Sequence, residues 1–137
     1  MKFIKLAAVL LVLAGGFVSC KSNNQCAETI NLPEEKVCDF TNPLTDLPWL
    51  KEYIDEVKEQ ERSIAIFTCS YRNGTGFLFY TGCPKNVYCI TGPSIALKNC
   101  EGETLCVTFG ANVMNCEEEF DVDFNNITLI YEVNCPY

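Results

Sequence analysis

Histidine is absent from the 137 residues. Without an imidazole there is no Ser-His-Asp or Cys-His relay, and the usual histidine-bearing zinc, copper and haem sites are excluded. Cys-x-x-Cys is absent too, which removes the thioredoxin-type active site and the zinc-ribbon pair. Basic charge is scarce: Lys and Arg number 10 against 18 Asp and Glu, for a net of -8. Such an acidic chain is repelled by phosphate backbones and anionic headgroups, so no nucleic-acid partner is expected. Long apolar runs are missing as well. The longest, Leu6 to Val18, falls short of the roughly 20 residues that cross a bilayer.

What is present begins with Lys2 and Lys5, that short run, and then Ser19-Cys20-Lys21. A basic start, an apolar core and a small residue before a cysteine make a lipoprotein-type secretory signal over residues 1–19, whose removal leaves Cys20 first and open to lipidation. Taking 19 residues and two lysines from 137 and -8 leaves 118 residues at -10, enough for one domain with a modest core. Residues 20–41 then read as anchor, tether and an irregular strap carrying Pro33, Glu34 and Glu35, and residues 42–137 as a single domain. Contact with the membrane comes through the lipid anchor, since two or three acyl chains hold firmly where one binds marginally.

Cysteines stand at 20, 26, 38, 69, 83, 89, 100, 106, 116 and 135. Behind a secretory signal, that density points to an oxidising compartment and a disulfide-stapled fold. Bonds are expected among Cys38, Cys69, Cys83, Cys89, Cys100, Cys106, Cys116 and Cys135. A lipid on Cys20 leaves an odd number, and Cys26 is the expected free thiol because its stretch is polar with few apolar neighbours. Cleavage after Gly16 would instead leave every cysteine available for pairing. We take the lipidated form.

Leu47, Leu50, Ile54 and Val57 repeat at helical spacing behind Thr45 or Asp46 as cap and Pro48 in the first turn. This predicts an amphipathic helix from Leu47 to about Gln60, with Trp49 and Tyr53 widening its stripe. Asn73-Gly74 predicts a hairpin turn within Ser63 to Cys83, pairing Cys69 with Leu78, Phe67 with Tyr80 and Ile64 with Cys83. Ile64, Ile66, Phe77 and Phe79 then share one face, and Phe67, Tyr71, Leu78 and Tyr80 the other, of which one helix can cover only one. Further strands are expected at Val87–Thr91, Ile95–Asn99, Thr104–Phe109 and Ile127–Val133. The fold class is α+β: one amphipathic helix packed on an antiparallel sheet of about four to six strands, stapled by disulfides.

The stretch from Asn42 through Leu47-Pro48-Trp49-Leu50-Lys51-Glu52, with Gly102-Glu103-Thr104-Leu105-Cys106 and Gly110 later, resembles small lipoproteins of Bacteroides-type gut bacteria. The Leu-Pro-Trp-Leu-Lys helix start is the specific part, and the likeness covers Asn42 to Cys116. It implies a lipidated cell-envelope protein with a small α+β domain and carries over no biochemical role. Exported surface lipoproteins of such bacteria have acids just after the cysteine, and Lys21-Ser22-Asn23-Asn24-Gln25 has none. The outer membrane, facing the periplasm, is therefore the expected location.

Asp121, Asp123, Asn125 and, at the twelfth place, Glu132 have the alternate-oxygen spacing of a calcium loop. Asn126 stands where that loop wants glycine, and Ile127–Val133 alternates like a strand where it wants a helix. The competing reading is an acidic turn into the last strand, and no cofactor is expected. Glu117-Glu118-Glu119 reads as a solvated charge patch. Trp49, Tyr53, Phe67, Tyr71 and Tyr80 offer a sugar-stacking platform, although aromatics at such spacing belong to a core. The expected function is a non-catalytic envelope lipoprotein that binds a protein or a glycan, using the second apolar face of the hairpin. The rival is a small carboxylate-dependent hydrolase acting on envelope polysaccharide.

Overall fold

Leu50, Ile54 and Val57 are spaced to share one side of a helix, and in the computed structural model, which describes residues 26–72, 74–83, 94–109 and 114–135, all three are buried. Side chains of this size each contribute about 1.5–3 kcal/mol when withdrawn from water. They lie on α2 (Pro48–Glu59), which follows a single turn, α1 (Pro43–Asp46). A proline opens each helix where its missing N–H removes no bond. The cap is not the one expected: Leu47 precedes α2 without a side-chain bond, while Thr45 Oγ1 donates to Asn42 O at 3.3 Å and to Asp46 Oδ1 at 3.0 Å. At the other end Glu61, with φ +48°, stands where glycine is usual. Arg62 N donates to Val57 O at 3.1 Å and Glu61 N to Lys58 O at 3.0 Å, which satisfies the last carbonyls.

Among the described residues six strands form one antiparallel sheet: β1 (Ala27–Ile30), β2 (Ile64–Tyr71), β3 (Gly74–Thr81), β4 (Ser94–Lys98), β5 (Thr104–Phe109) and β6 (Thr128–Asn134). Their order is β1-β6-β2-β3-β4-β5. The molecule is thus mostly β with a few short helices, and the single helix expected is too few. Glu117, Glu118 and Glu119 are exposed, as a charge patch should be, but they sit on α3 (Met114–Phe120), which also buries Cys116. The strap contains β1, whose four residues are all exposed. Its backbone pairing with β6 holds it, and no alternation of apolar side chains betrays it. The strand expected at Val87–Thr91 lies outside the described residues.

The β2–β3 hairpin runs two residues away from the expected register. Tyr71 pairs with Gly74, Cys69 with Gly76, Phe67 with Leu78 and Ile64 with Thr81. Asn73 itself is outside the described residues, but Arg72 N donates to Phe120 O at 2.8 Å. A slip of two restores every side chain to its face, so the two groups of apolar residues stay separate. Ile64, Ile66, Phe77 and Phe79 cluster with Leu50, Ile54 and Val57 of α2. Cys69 and Leu78 cluster with Ile95, Leu97 and Val122, and Phe120, Phe124 and Ile127 pack on them. The second face, expected to be open for a partner, is partly covered by the segment that follows α3, with Leu78 buried and Phe67, Tyr71 and Tyr80 half-buried.

Three disulfides join described residues. Cys26–Cys135 ties β1 to β6, Cys38–Cys100 ties the strap to the turn after β4, and Cys106–Cys116 ties β5 to α3. Cys83 is disulfide-bonded as well, while Cys20 and Cys89 lie outside the described residues. The expected free thiol is corrected: Cys26 is bonded, and buried Cys69 is free. Polarity around Cys26 was the wrong criterion, because pairing of Ala27 with Asn134 carries the neighbouring Cys26 to Cys135. Burial pushes the Cys69 thiol up to about 12, against the weaker pull of the Gly76 backbone. Only the thiolate is reactive. Iodoacetamide at about pH 8 is therefore expected to leave the Cys69 peptide unmodified in the folded protein and to label it fully in denaturant; rapid labelling in the native state would contradict the burial.

Candidate functional site

Beyond Ile30 the strap stays on the sheet for one more bond, Asn31 N to Ile130 O at 2.9 Å. It then crosses through Pro33, Glu34, Glu35 and Lys36 and returns to the body at buried Val37. Val37 and Phe40 exchange both backbone bonds, at 2.9 and 3.0 Å, around Cys38 and Asp39 at φ +55° and +69°. Two-residue hairpin loops want positive φ at both positions. A cysteine there is strained by about 1–3 kcal/mol, and its bond to Cys100 holds it in place. The strap is fastened at both ends.

Under the strap the sheet is locally open. β6 pairs with β2 only as far as Thr128 with Thr68, after a register shift between Ile66 and Phe67. Past that point Ser70 O accepts from Asp123 N at 3.3 Å, so the end of β2 is tied to the loop after α3 in place of a strand. The gap is a cleft of about 560 Å³. Leu32 to Val37 line it from the strap, and Thr68, Cys69, Ser70, Thr75, Asn126 and Thr128 line it from the sheet side. Its size falls in the range of small-ligand sites.

The chemistry of the two walls differs. Thr68, Ser70, Thr75 and Thr128 bring hydroxyls, and Asn126 brings an amide, all able to donate and accept. Glu34, Glu35 and Lys36, the charged lining residues, all belong to the strap. Glu34 and Glu35 are adjacent in the strap, and no residue of the sheet-side lining carries a carboxylate. Cys69, the remaining reactive atom in the lining, keeps its proton.

The calcium residues are not brought together. Asp123 caps the 3-10 turn Phe124–Asn126, its Oδ1 accepting from Asn125 N at 3.0 Å, and Asp121 occupies a bend at φ +55°. Glu132 sits within β6, opposite Thr29 and Ala65. Among the described residues no three His, Cys, Asp or Glu are grouped to hold a metal ion. The strand beginning at Thr128 removes the helical turn that would bring Glu132 back to the loop. The aromatic platform is likewise divided, with Trp49 and Tyr53 in the α2 cluster and Phe67, Tyr71 and Tyr80 in the other. Thr68 and Ser70, which stand two apart on β2, were not among the residues singled out in the sequence, and their convergence with the strap depends on the path of residues 31–37.

No helix among the described residues is long and apolar enough to cross a membrane. The chain matches no protein-family model, no curated protein and no solved structure.

Proposed function

We propose that this chain is a non-catalytic binding module of the cell envelope, lipidated on Cys20 and held on the periplasmic side of the outer membrane, that takes a glycan in the strap cleft. The lining carries the reading: a wall of neutral hydroxyls and an amide faces a strap fastened at both ends, and its carboxylates share one side. Neutral donors and acceptors in a preorganised cleft suit a polyhydroxylated ligand, whose hydroxyls need partners on leaving water. In this reading residues 1–19 are the signal, in keeping with the resemblance to Bacteroides-type lipoproteins, and α2 is the amphipathic helix of an α+β domain.

Protein purified from envelope membranes is expected to begin at Cys20 with a mass gain of lipid size, and to bind oligosaccharides released from the envelope saturably without cleaving them. Ser70 is exposed on the cleft wall, so Ser70→Trp should abolish that binding while leaving the unfolding midpoint unchanged. Binding that survives Ser70→Trp, or release of shortened sugars, would defeat the reading. The second outcome would favour the hydrolase.

A further inference from the structure

The three disulfides that join described residues are not equally sheltered. In Cys26–Cys135 the Cys135 side is only 6% exposed, and in Cys106–Cys116 the Cys116 side is fully buried. Cys38–Cys100 is the one of the three in which both cysteines are half-buried. It is also the one with backbone strain at a cysteine, because Cys38 and the next residue, Asp39, are held at φ +55° and +69°, where residues other than glycine are disfavoured. Strained or exposed disulfides are the labile ones in thiol exchange.

The two sides of this bond differ in what else holds them. Cys100 sits in the 99–103 turn, where Asn99 Oδ1 accepts from Glu101 N at 3.1 Å and from Glu103 N at 2.8 Å, and Cys100 O accepts from Trp49 Nε1 at 2.9 Å. That turn keeps its place without the sulfur. The strap has no comparable support: between Cys26 and Pro43, Val37 is the single buried residue, and Val37 and Phe40 give their backbone bonds to each other. Past the bond from Asn31 N to Ile130 O, no backbone hydrogen bond among the described residues ties residues 32–41 to the sheet or the helices. Opening Cys38–Cys100 therefore frees the strap and not the turn.

We infer that Cys38–Cys100 is a redox latch on the strap cleft, opened by a dithiol. One thiolate of the dithiol attacks Cys38 Sγ, forming a mixed disulfide and breaking the bond to Cys100, which leaves with the electron pair and takes a proton. The second thiol, after losing its proton, attacks the dithiol's own sulfur in the mixed disulfide, and Cys38 leaves and is protonated in turn. Two electrons and two protons pass to the protein, and the dithiol ends as an internal disulfide. Cys100 Sγ lies 3.4 Å from Thr75 O, so the released thiol finds an acceptor already in place. Thr75 and Val37 both line the cleft, and the exchange thus acts on its two walls. The inference does not rest on the glycan reading, since its readouts need no ligand.

Limited reduction of the full chain with dithiothreitol, stopped at intervals by acid, alkylated and mapped by peptide, tests the chemistry. Cys38 and Cys100 should be labelled together, about tenfold or more faster than either Cys26 and Cys135 or Cys106 and Cys116, as the backbone strain implies. In protein stopped at that stage, amide hydrogen exchange at Val37 and Phe40 should rise by about tenfold or more, and stay unchanged in α2 and along the β1–β6 ladder. A variant carrying Cys38→Ser and Cys100→Ser should show the same pattern with no reductant present. The order of opening is read in the wild type, so the test stands whether or not that variant folds. Earlier or simultaneous opening of either other bond would overturn the latch. So would undiminished protection of Val37 and Phe40 after opening, which would mean that packing of Val37 holds the strap. Exchange rising throughout α2 and the ladder would overturn it too, by making the bond a staple of the whole fold.

Discussion

Replacing Cys26 and Cys135 together with alanine is expected to lower the stability of the oxidised protein by about 4.7 kcal/mol, the value for closing a loop of about 100 residues. The two cysteines are 109 residues apart, so their bond withdraws more freedom from the unfolded chain than either of the others placed here. Cys106 and Cys116, only 10 residues apart, should lose about 3 kcal/mol or less when treated in the same way. Against a total of about 5–15 kcal/mol for a domain, the first loss threatens the fold and the second does not. The bond has a local role too. It fastens β1, an edge strand of four exposed residues that no buried side chain anchors. Urea midpoints of the two double variants, measured without reductant, make the comparison. Equal losses would show that local contacts and not chain entropy dominate these bonds.

Why Cys26 and Cys135 meet was beyond sequence reasoning for a definite reason. Ala27-Glu28-Thr29-Ile30 is short and carries no periodic apolar signal, since every one of its side chains faces water. Its place in the sheet rests on backbone bonds to β6, a strand about 100 residues away, and such pairing leaves no trace in local composition. Cysteine connectivity inherits that blindness. Where burial was alternating or helical the reading was far better. The faces of β2 and β3 and the buried stripe of α2 followed from spacing, even with the hairpin register displaced by two. That displacement was harmless because side-chain parity has a period of two.

α3 shows the opposite failure. A run of three acids is solvated whether or not it is helical, so Glu117–Glu119 spoke of exposure and said nothing of the buried Cys116 beside them. The strap cleft was hidden for a further reason. Glu34 and Glu35 were conspicuous in the sequence, but the wall they face is made from β2, β3 and the 3-10 turn. It exists only because β6 stops pairing with β2 at Thr68.

Trp49→Ala is the second large loss expected, about 3 kcal/mol, at the lower end for removal of a tryptophan because the side chain is half-buried. The indole meets Phe77 edge-on at 5.7 Å and Phe79 at 6.2 Å, and its Nε1 donates to Cys100 O at 2.9 Å. It thereby fastens the start of α2 both to the sheet and to the turn that holds the Cys38–Cys100 bond. Trp49→Phe keeps a ring and loses the donor, so a smaller deficit of about 1 kcal/mol is expected. Gly102 supplies the sharper test. Its φ of +83° already disfavours a side chain, and a Cβ there would come within 2.7 Å of Trp49 Cδ2. Gly102→Ala therefore suffers both backbone strain and a collision with the indole, whereas in the Trp49→Ala background only the strain remains. The double variant should lose less than the two single variants added together, by about 1 kcal/mol or more in chemical denaturation. Strict additivity would mean that the indole moves aside freely, and that Trp49 does not set the position of the 99–103 turn.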